Sequence, residues 1–114
     1  MSVGAVTQTF GFPDIFGGKM FNTIDYAGPT SYNNTGTPAT SGDTMSHRMF
    51  GFENTVETFI GESLDQTGTY FVKAQPNNSG VTTWRLRWFT TAGAEVANGV
   101  NLSAYTVKLS AIGF

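Results

Sequence analysis

Two stretches in the last third of the chain alternate large apolar with polar residues, and this pattern constrains the fold more than any other feature. In residues 81–90, Trp84, Leu86 and Trp88 fall on one side of an extended chain and alternate with threonine and arginine. Residues 105–112 alternate tyrosine, valine, leucine and alanine with threonine, lysine and serine. A period of two with apolar groups on one side only is typical of a sheet that has one packed face and one solvated face. The pattern therefore predicts a compact β domain.

The rest of the chain also favours a fold made of short strands. No segment carries an apolar helical stripe longer than about two turns, and no spacing typical of a βαβ unit occurs. At 114 residues the chain is long enough for one core. We therefore expect one all-β domain, either a small β-sandwich (jelly-roll-like) or a partly open barrel. Further strands are predicted at 20–26, 55–60 and 69–75, a single helical turn at 45–50, and a hairpin turn at 76–80.

The first nineteen residues differ from the sequence that follows. Phe10, Phe12, Ile15 and Phe16 are interleaved with three glycines and one proline, a mixture that regular elements do not tolerate. We predict an extended N-terminal arm over residues 1–19, with a short edge strand allowed near its start, and a β-sandwich domain over 20–114. The four apolar side chains are candidate protein-contact residues, because such an arm must be buried either on its own domain or on a neighbouring subunit or larger surface.

A long polar segment, residues 30–44, consists almost wholly of threonine, serine, asparagine, glycine and proline. Compact domains seldom carry a loop of about fifteen residues without a structural or functional reason. It is interpreted either as a mobile solvated loop or as a loop that contacts a partner.

The sequence offers no motif for catalysis, metal binding or cofactor binding. The chain has one histidine, His47, and no cysteine, whereas a metal site needs several converging ligands. Its eight carboxylates are scattered over predicted loops and strand ends, and no serine lies in a nucleophile motif. No glycine-rich phosphate loop precedes a helix. We therefore expect a protein that is not an enzyme, with no cofactor and no bound metal.

Charge and hydropathy limit the classes of partner. Charged residues make up 12% of the chain, the net charge is −2, and lysine and arginine do not cluster. A nucleic-acid partner is not expected, because phosphate neutralisation needs a concentrated basic surface. No apolar run approaches membrane-spanning length, so no membrane association is expected. The N-terminal residues lack the pattern of a secretory signal, which predicts synthesis in a cytoplasm without a signal peptide.

Three aromatic residues, Trp84, Trp88 and Tyr105, suggest a carbohydrate-binding platform if their rings are exposed on a β face. The favoured interpretation is that they form the inward face of the sheet together with the aliphatic residues that alternate beside them.

The closing segment Glu95–Gly113, EVANGVNLSAYTVKLSAIG, resembles the C-terminal signature of small virion proteins of tailed bacteriophages. In that group an acidic-Val-Ala-x-Gly-x-Asp/Asn-Leu-Ser segment precedes a last strand that ends in Ala-Ile-Gly or a similar sequence. The order upstream is also similar: a strand, a polar loop over residues 29–43, a Gly-Phe turn at Gly51-Phe52 and another strand. The likeness covers about residues 20–113. Asn101 stands where aspartate is commoner, and the phenylalanine-rich first twenty residues have no counterpart.

The resemblance implies a capsid decoration (cement) protein, which binds the mature icosahedral head and reinforces it. Its partners would be the major capsid protein and further copies of itself, with a trimer favoured. Its location would be the capsid surface of the virion. A tail or head-fibre subunit and a carbohydrate-binding β-sandwich module remain the alternatives.

Overall fold

The computed structural model describes residues 4–8, 14–16, 19–38, 40–76 and 83–114. Within these ranges the chain forms strands joined by turns, together with one 3₁₀ turn at His47–Phe50. The strands are β1 (Ala5–Gln8), β2 (Asp14–Phe16), β3 (Lys19–Ala27), β4 (Asp43–Ser46), β5 (Val56–Ile60), β6 (Ser63–Leu64), β7 (Tyr70–Pro76), β8 (Thr83–Thr90) and β9 (Thr106–Gly113).

The strands form two open antiparallel sheets. The first has the order β1-β3-β9-β5, and β2 also pairs with β3; the second has the order β4-β8-β7-β6. β1 pairs with the end of β3, in a register that places Ala5 opposite Ala27. β2 pairs with the beginning of β3, in a register that places Phe16 opposite Lys19. The prediction of an all-β fold is confirmed. The arrangement is consistent with a small β-sandwich and is not a closed barrel.

Both sheets contribute to one apolar core. From the first sheet, β3 and β9 contribute Ile24, Tyr26, Val107, Leu109 and Ala111. From the second, β4, β7 and β8 contribute Met45, Val72, Leu86 and Trp88. Each large apolar side chain buried in this way stabilises the fold by about 1.5–3 kcal/mol relative to exposure. The predicted inward face of the last two long strands is thus confirmed, with Trp84 and Tyr105 partly buried against the same core.

The opposite face of β8 is less solvated than the alternation predicts. Arg85 is only 7% exposed, and Arg87 is half-buried. Arg85 is covered because the polar loop that precedes β4 folds over this face of the sheet. The Arg85 Nη1 donates to the carbonyl oxygen of Thr40 in that loop at 3.0 Å. The expectation of a fully wet second face is therefore wrong at this strand.

The strands predicted at 20–26, 55–60, 69–75, 81–90 and 105–112 are all present, and the ends that lie within the described ranges differ by at most one residue. Residues 81 and 82, the predicted start of the fourth of these strands, lie outside the described residues. The helical turn predicted at 45–50 is shorter, because β4 continues to Ser46 and the 3₁₀ turn occupies only the last four residues. The sequence pattern does not predict β2, β4 or β6, and the expectation that residues 10–18 contain no regular element is wrong at Asp14–Phe16. Residues 77–80 of the predicted hairpin turn lie outside the described residues.

Of the four candidate contact residues, Phe10 and Phe12 lie outside the described residues. Ile15 and Phe16 lie in β2, where their backbones pair opposite Met20 and Lys19. The division into an arm over 1–19 and a domain over 20–114 stays a prediction.

Candidate functional site

The described residues of the polar loop, 30–38 and 40–42, are held in place by hydrogen bonds to the loop that leads into β9. The Tyr32 amide donates to the Val100 carbonyl at 2.9 Å, and the Gly99 amide donates to the Tyr32 carbonyl at 2.8 Å. The Asn34 side chain donates to the Val96 carbonyl at 2.9 Å. These bonds favour an anchored loop over a freely moving one. Its tip, residues 35–38, is exposed and available for contact.

The carboxylate of Glu95 joins the polar loop to β8. Its Oε1 accepts from Arg87 Nη2 at 3.1 Å, and its Oε2 accepts from the Tyr32 hydroxyl at 2.7 Å and from the Ser41 hydroxyl. The Tyr32 oxygen in turn accepts from the Trp88 amide at 3.1 Å. Burial acts to raise the pKa of Glu95, but the hydrogen bonds from these three side chains and the Arg87 charge outweigh it, so the pKa lies below its usual value.

We expect Glu95→Gln to be less stable than the wild type at pH 7, with a gap that closes in acid. A lowered native pKa means that the carboxylate stabilises the fold fully above the unfolded-state value of about 4.5 and ceases to do so as the pH falls through the native value. Urea unfolding at a series of pH values between about 7 and 3 measures the difference between the two proteins. Any acid-dependent contribution of another group, such as that of Asp65, cancels in that difference.

The matched control for this substitution is Glu53→Gln, which removes an exposed glutamate. A gap between wild type and Glu95→Gln that stays constant or widens as the pH falls would show that the Glu95 carboxylate is not held as described.

A second polar cluster lies inside the core, around Asp43. The Asp43 Oδ2 accepts from the Tyr26 hydroxyl at 2.7 Å and from Trp88 Nε1 at 3.2 Å. The Tyr26 oxygen accepts from the Gly4 amide at 2.7 Å, so the cluster also holds the start of the described chain. Burial, followed by the Asp43 charge and hydrogen bond, raises the pKa of Tyr26 well above its usual value. The phenol therefore acts as a hydrogen-bond donor at ordinary pH.

The Asp43 cluster is positioned to stabilise the fold, since it is closed to solvent. Asp43, Tyr26 and Trp88 are each 0% exposed, and they come from β4, β3 and β8. The Tyr26–Asp43 hydrogen bond thus links the first sheet to the second, and the Tyr32–Glu95 hydrogen bond links the polar loop to the loop that leads into β9.

Among the described residues, no three histidine or carboxylate side chains come together to form a candidate metal site.

The three aromatic residues considered for sugar stacking do not form an exposed platform. Trp88 is fully buried and Trp84 is partly buried against Phe59, with ring centroids 5.8 Å apart. Tyr105 packs edge-on against Tyr70 at 4.8 Å. Because their rings are turned towards the core, the inward-face interpretation accounts for these residues.

An apolar and cationic patch lies on the outer face of the second sheet. Leu64 of β6 is opposite Phe71 of β7, and Phe71 stacks on Phe89 of β8 with centroids 5.4 Å apart. Lys73 Nζ lies 5.9 Å from the centroids of both phenylalanine rings. Leu64 is 58% exposed. Aromatic rings are enriched in protein interfaces, and an exposed leucine beside them enlarges the apolar surface that a partner can cover.

Sequence reasoning did not select this patch as a contact site. The sequence does contain a signal for an apolar outer surface, since Phe71 and Phe89 occupy the otherwise polar side of the alternation in their strands. What was lacking was the pairing of β7 with both β6 and β8, which places Leu64 and the two rings side by side.

Comparison of the chain with protein-family models, with curated proteins and with solved structures gives no match in any of the three. Within the described ranges, no helix has the length and apolarity needed to cross a membrane.

Proposed function

We propose that this protein is a structural virion protein of a tailed bacteriophage, a capsid decoration (cement) protein that binds the mature icosahedral head and stabilises it. The observation that carries the proposal is the closing segment, residues 95–113, which resembles the signature of such proteins. In the fold this segment forms one structural unit: Glu95 anchors the polar loop, Leu102 is fully buried, and β9 lies between β3 and β5. The resemblance therefore covers residues that hold a loop and a sheet together.

The surface is suited to repeated contact with other proteins. The polar loop presents an uncharged tip of threonine, glycine and proline, and the outer face of the second sheet presents Leu64 and two phenylalanines. Uncharged and apolar groups can approach neighbouring subunits closely, because they carry little desolvation cost compared with unpaired charges. On a shell with many identical sites, modest contacts made by many copies or by an oligomer add up to firm attachment.

The partners in this proposal are the major capsid protein and further copies of the chain. A trimer is favoured, since closed cyclic oligomers match the local symmetry axes of an icosahedral shell. Phe10, Phe12, Ile15 and Phe16 remain candidate capsid contacts on sequence grounds alone.

Binding to DNA-free mature heads of the phage that encodes the chain tests the proposal. We expect the purified protein to co-sediment with these heads, to saturate at a fixed number of copies per head and to raise their melting temperature. Immature shells of the same phage serve as the control, because a protein that reinforces the completed head should bind them less. Absence of binding to either shell would contradict the proposal.

The location on the particle separates the proposal from a tail or head-fibre role. Gold-labelled antibody against the chain should mark the whole head surface in electron micrographs. Label confined to the tail or to single vertices would assign the protein to those structures instead.

A serine substitution at both Phe10 and Phe12 tests the predicted arm. If the arm attaches the protein to the head, we expect the double variant to keep its melting temperature but to lose most of its head binding. Unchanged binding would remove these two residues from the contact surface.

A further inference from the structure

Leu64 forms a ridge between two grooves at the edge of the second sheet. Each groove has a volume of about 380 Å³, and Leu64 lines both. The first groove is lined also by Glu62, Phe71 and Lys73. The second lies towards the first sheet and is lined also by Asp25 and Lys108. Both grooves are shallow and open to solvent, and the Leu64 side chain, 58% exposed, projects beside them.

The charged side chains of the two grooves differ in whether they form an ion pair within the chain. In the second groove Lys108 Nζ is paired with Asp25 Oδ1 at 2.6 Å. In the first groove Glu62 and Lys73 are both exposed, and neither forms an ion pair with any residue that the structure describes. The first groove therefore carries one acid and one base that are both available to a partner.

We infer that two copies of this chain associate about a two-fold axis through the first groove. Leu64 of each copy enters the groove of the other and packs on Phe71, while Glu62 of each copy faces Lys73 of the other. A two-fold contact requires a patch that is complementary to itself, and a ridge beside a groove with one charge of each sign meets that requirement. An acidic partner would leave Glu62 unpaired, and a basic partner would leave Lys73 unpaired. A second copy satisfies both.

This inference does not depend on the proposed function. A two-fold dimer forms in solution whether or not the chain binds a capsid. The trimer favoured under the proposed function is a different assembly: it would form on the head, around a symmetry axis of the shell, through contacts between unlike surfaces elsewhere on the molecule. In solution, away from the shell, the chain is expected to be the two-fold dimer alone.

Light scattering coupled to size-exclusion chromatography tests the inference on the whole chain. We expect the wild type to have twice the 12.2 kDa mass of the chain and Leu64→Glu to have the single-chain mass. The matched control is Ile60→Glu, because Ile60 is 55% exposed at the end of β5 and lines neither groove. This control should remain a dimer. Circular dichroism melts of all three proteins confirm that each is folded.

Charge reversal tests the predicted pairing across the axis. Glu62→Lys and Lys73→Glu should each weaken dimerisation by about tenfold, because each places like charges opposite one another. An equimolar mixture of the two variants should recover the wild-type dimer, since each heterodimer restores both opposite-charge pairs. Glu62 and Lys73 lie near one another within one chain, and only rescue on mixing distinguishes a contact between chains from one within a chain.

Three results would overturn the inference. The first is a wild type that stays monomeric at concentrations up to about 1 mM, at which a dimer with a Kd of about 1 mM or tighter would be populated. The second is an oligomer that Leu64→Glu leaves intact. The third is a mixture of the two charge variants that dimerises no better than either variant alone.

Discussion

Asp43→Ala is expected to lower the free energy of unfolding by roughly 3–5 kcal/mol, because it removes the acceptor shared by two buried donors. The Tyr26 hydroxyl and the Trp88 indole N–H both donate to Asp43 Oδ2. All three side chains are 0% exposed, so bulk water does not reach the two donors in the folded protein. Each buried donor left without a partner costs about 1–3 kcal/mol, and the space left by the side chain adds to that cost.

Urea unfolding followed by tryptophan fluorescence measures this loss directly. Asp43→Asn is the conservative comparison, since it keeps the volume and one acceptor oxygen and should cost clearly less. Asp25→Ala is the matched surface control. Its carboxylate pairs with the largely exposed Lys108, so its removal should cost less than about 1 kcal/mol.

A double-mutant cycle with Tyr26→Phe adds a second check. Because the phenol and the carboxylate bond to one another, the cost of the double variant should be smaller than the sum of the two single costs. A cost of Asp43→Ala as small as that of Asp25→Ala would show that the buried cluster contributes little to stability.

Gly42→Ala is the second substitution with a large expected effect, at roughly 3 kcal/mol or more. Gly42 has a φ of 93°, in the left-handed region that favours glycine. A Cβ at this position would lie 2.5 Å from the Leu86 carbonyl oxygen and 3.0 Å from Arg87 Cγ. Since the first of these atoms is backbone in a paired strand, the loop must shift away from β8. That shift would also strain the adjoining bond from the Gly42 amide to the Asn33 carbonyl, at 2.7 Å.

Gly36→Ala in the same loop is the control for backbone strain alone. Gly36 has a φ of 76°, but a Cβ there would meet no atom within 4 Å. We expect a cost of about 1 kcal/mol, which is the strain of placing alanine in a left-handed conformation. Thermal and urea unfolding of the two variants compare the effects. Equal losses would mean that the crowding against β8 does not exist and that the polar loop lies further from the sheet.

The main strands could be predicted from the sequence because their pattern is local. Alternation with a period of two shows which side of a strand is apolar, and it correctly assigned Leu86, Trp88, Val107 and Leu109 to the core. β2, β4 and β6 escaped prediction because strands of three, four and two residues are too short to display a period. Residues 43–46 are paired as a strand because β8 lies beside them, and their own composition does not require it.

The candidate contact sites also differ in whether the sequence alone could indicate them. The sequence singled out Phe10, Phe12, Ile15 and Phe16 by composition, and their role as contacts stays a prediction. Composition could not indicate the Leu64 ridge, since an exposed leucine in a two-residue strand acquires meaning only when β7 places Phe71 and Lys73 beside it.

The sequence by itself determined the class of fold, the main strands and the inward face of the last two long ones, because these follow from the order of apolar and polar side chains along a few neighbouring residues. Only the tertiary structure decided how the polar loop is held and why Arg85 is buried. Glu95 holds Ser41 and Tyr32 across separations of 54 and 63 residues, and the loop so anchored covers the guanidinium of Arg85. Contacts between residues so far apart in the chain form only after the strands have paired, so no local pattern can encode them.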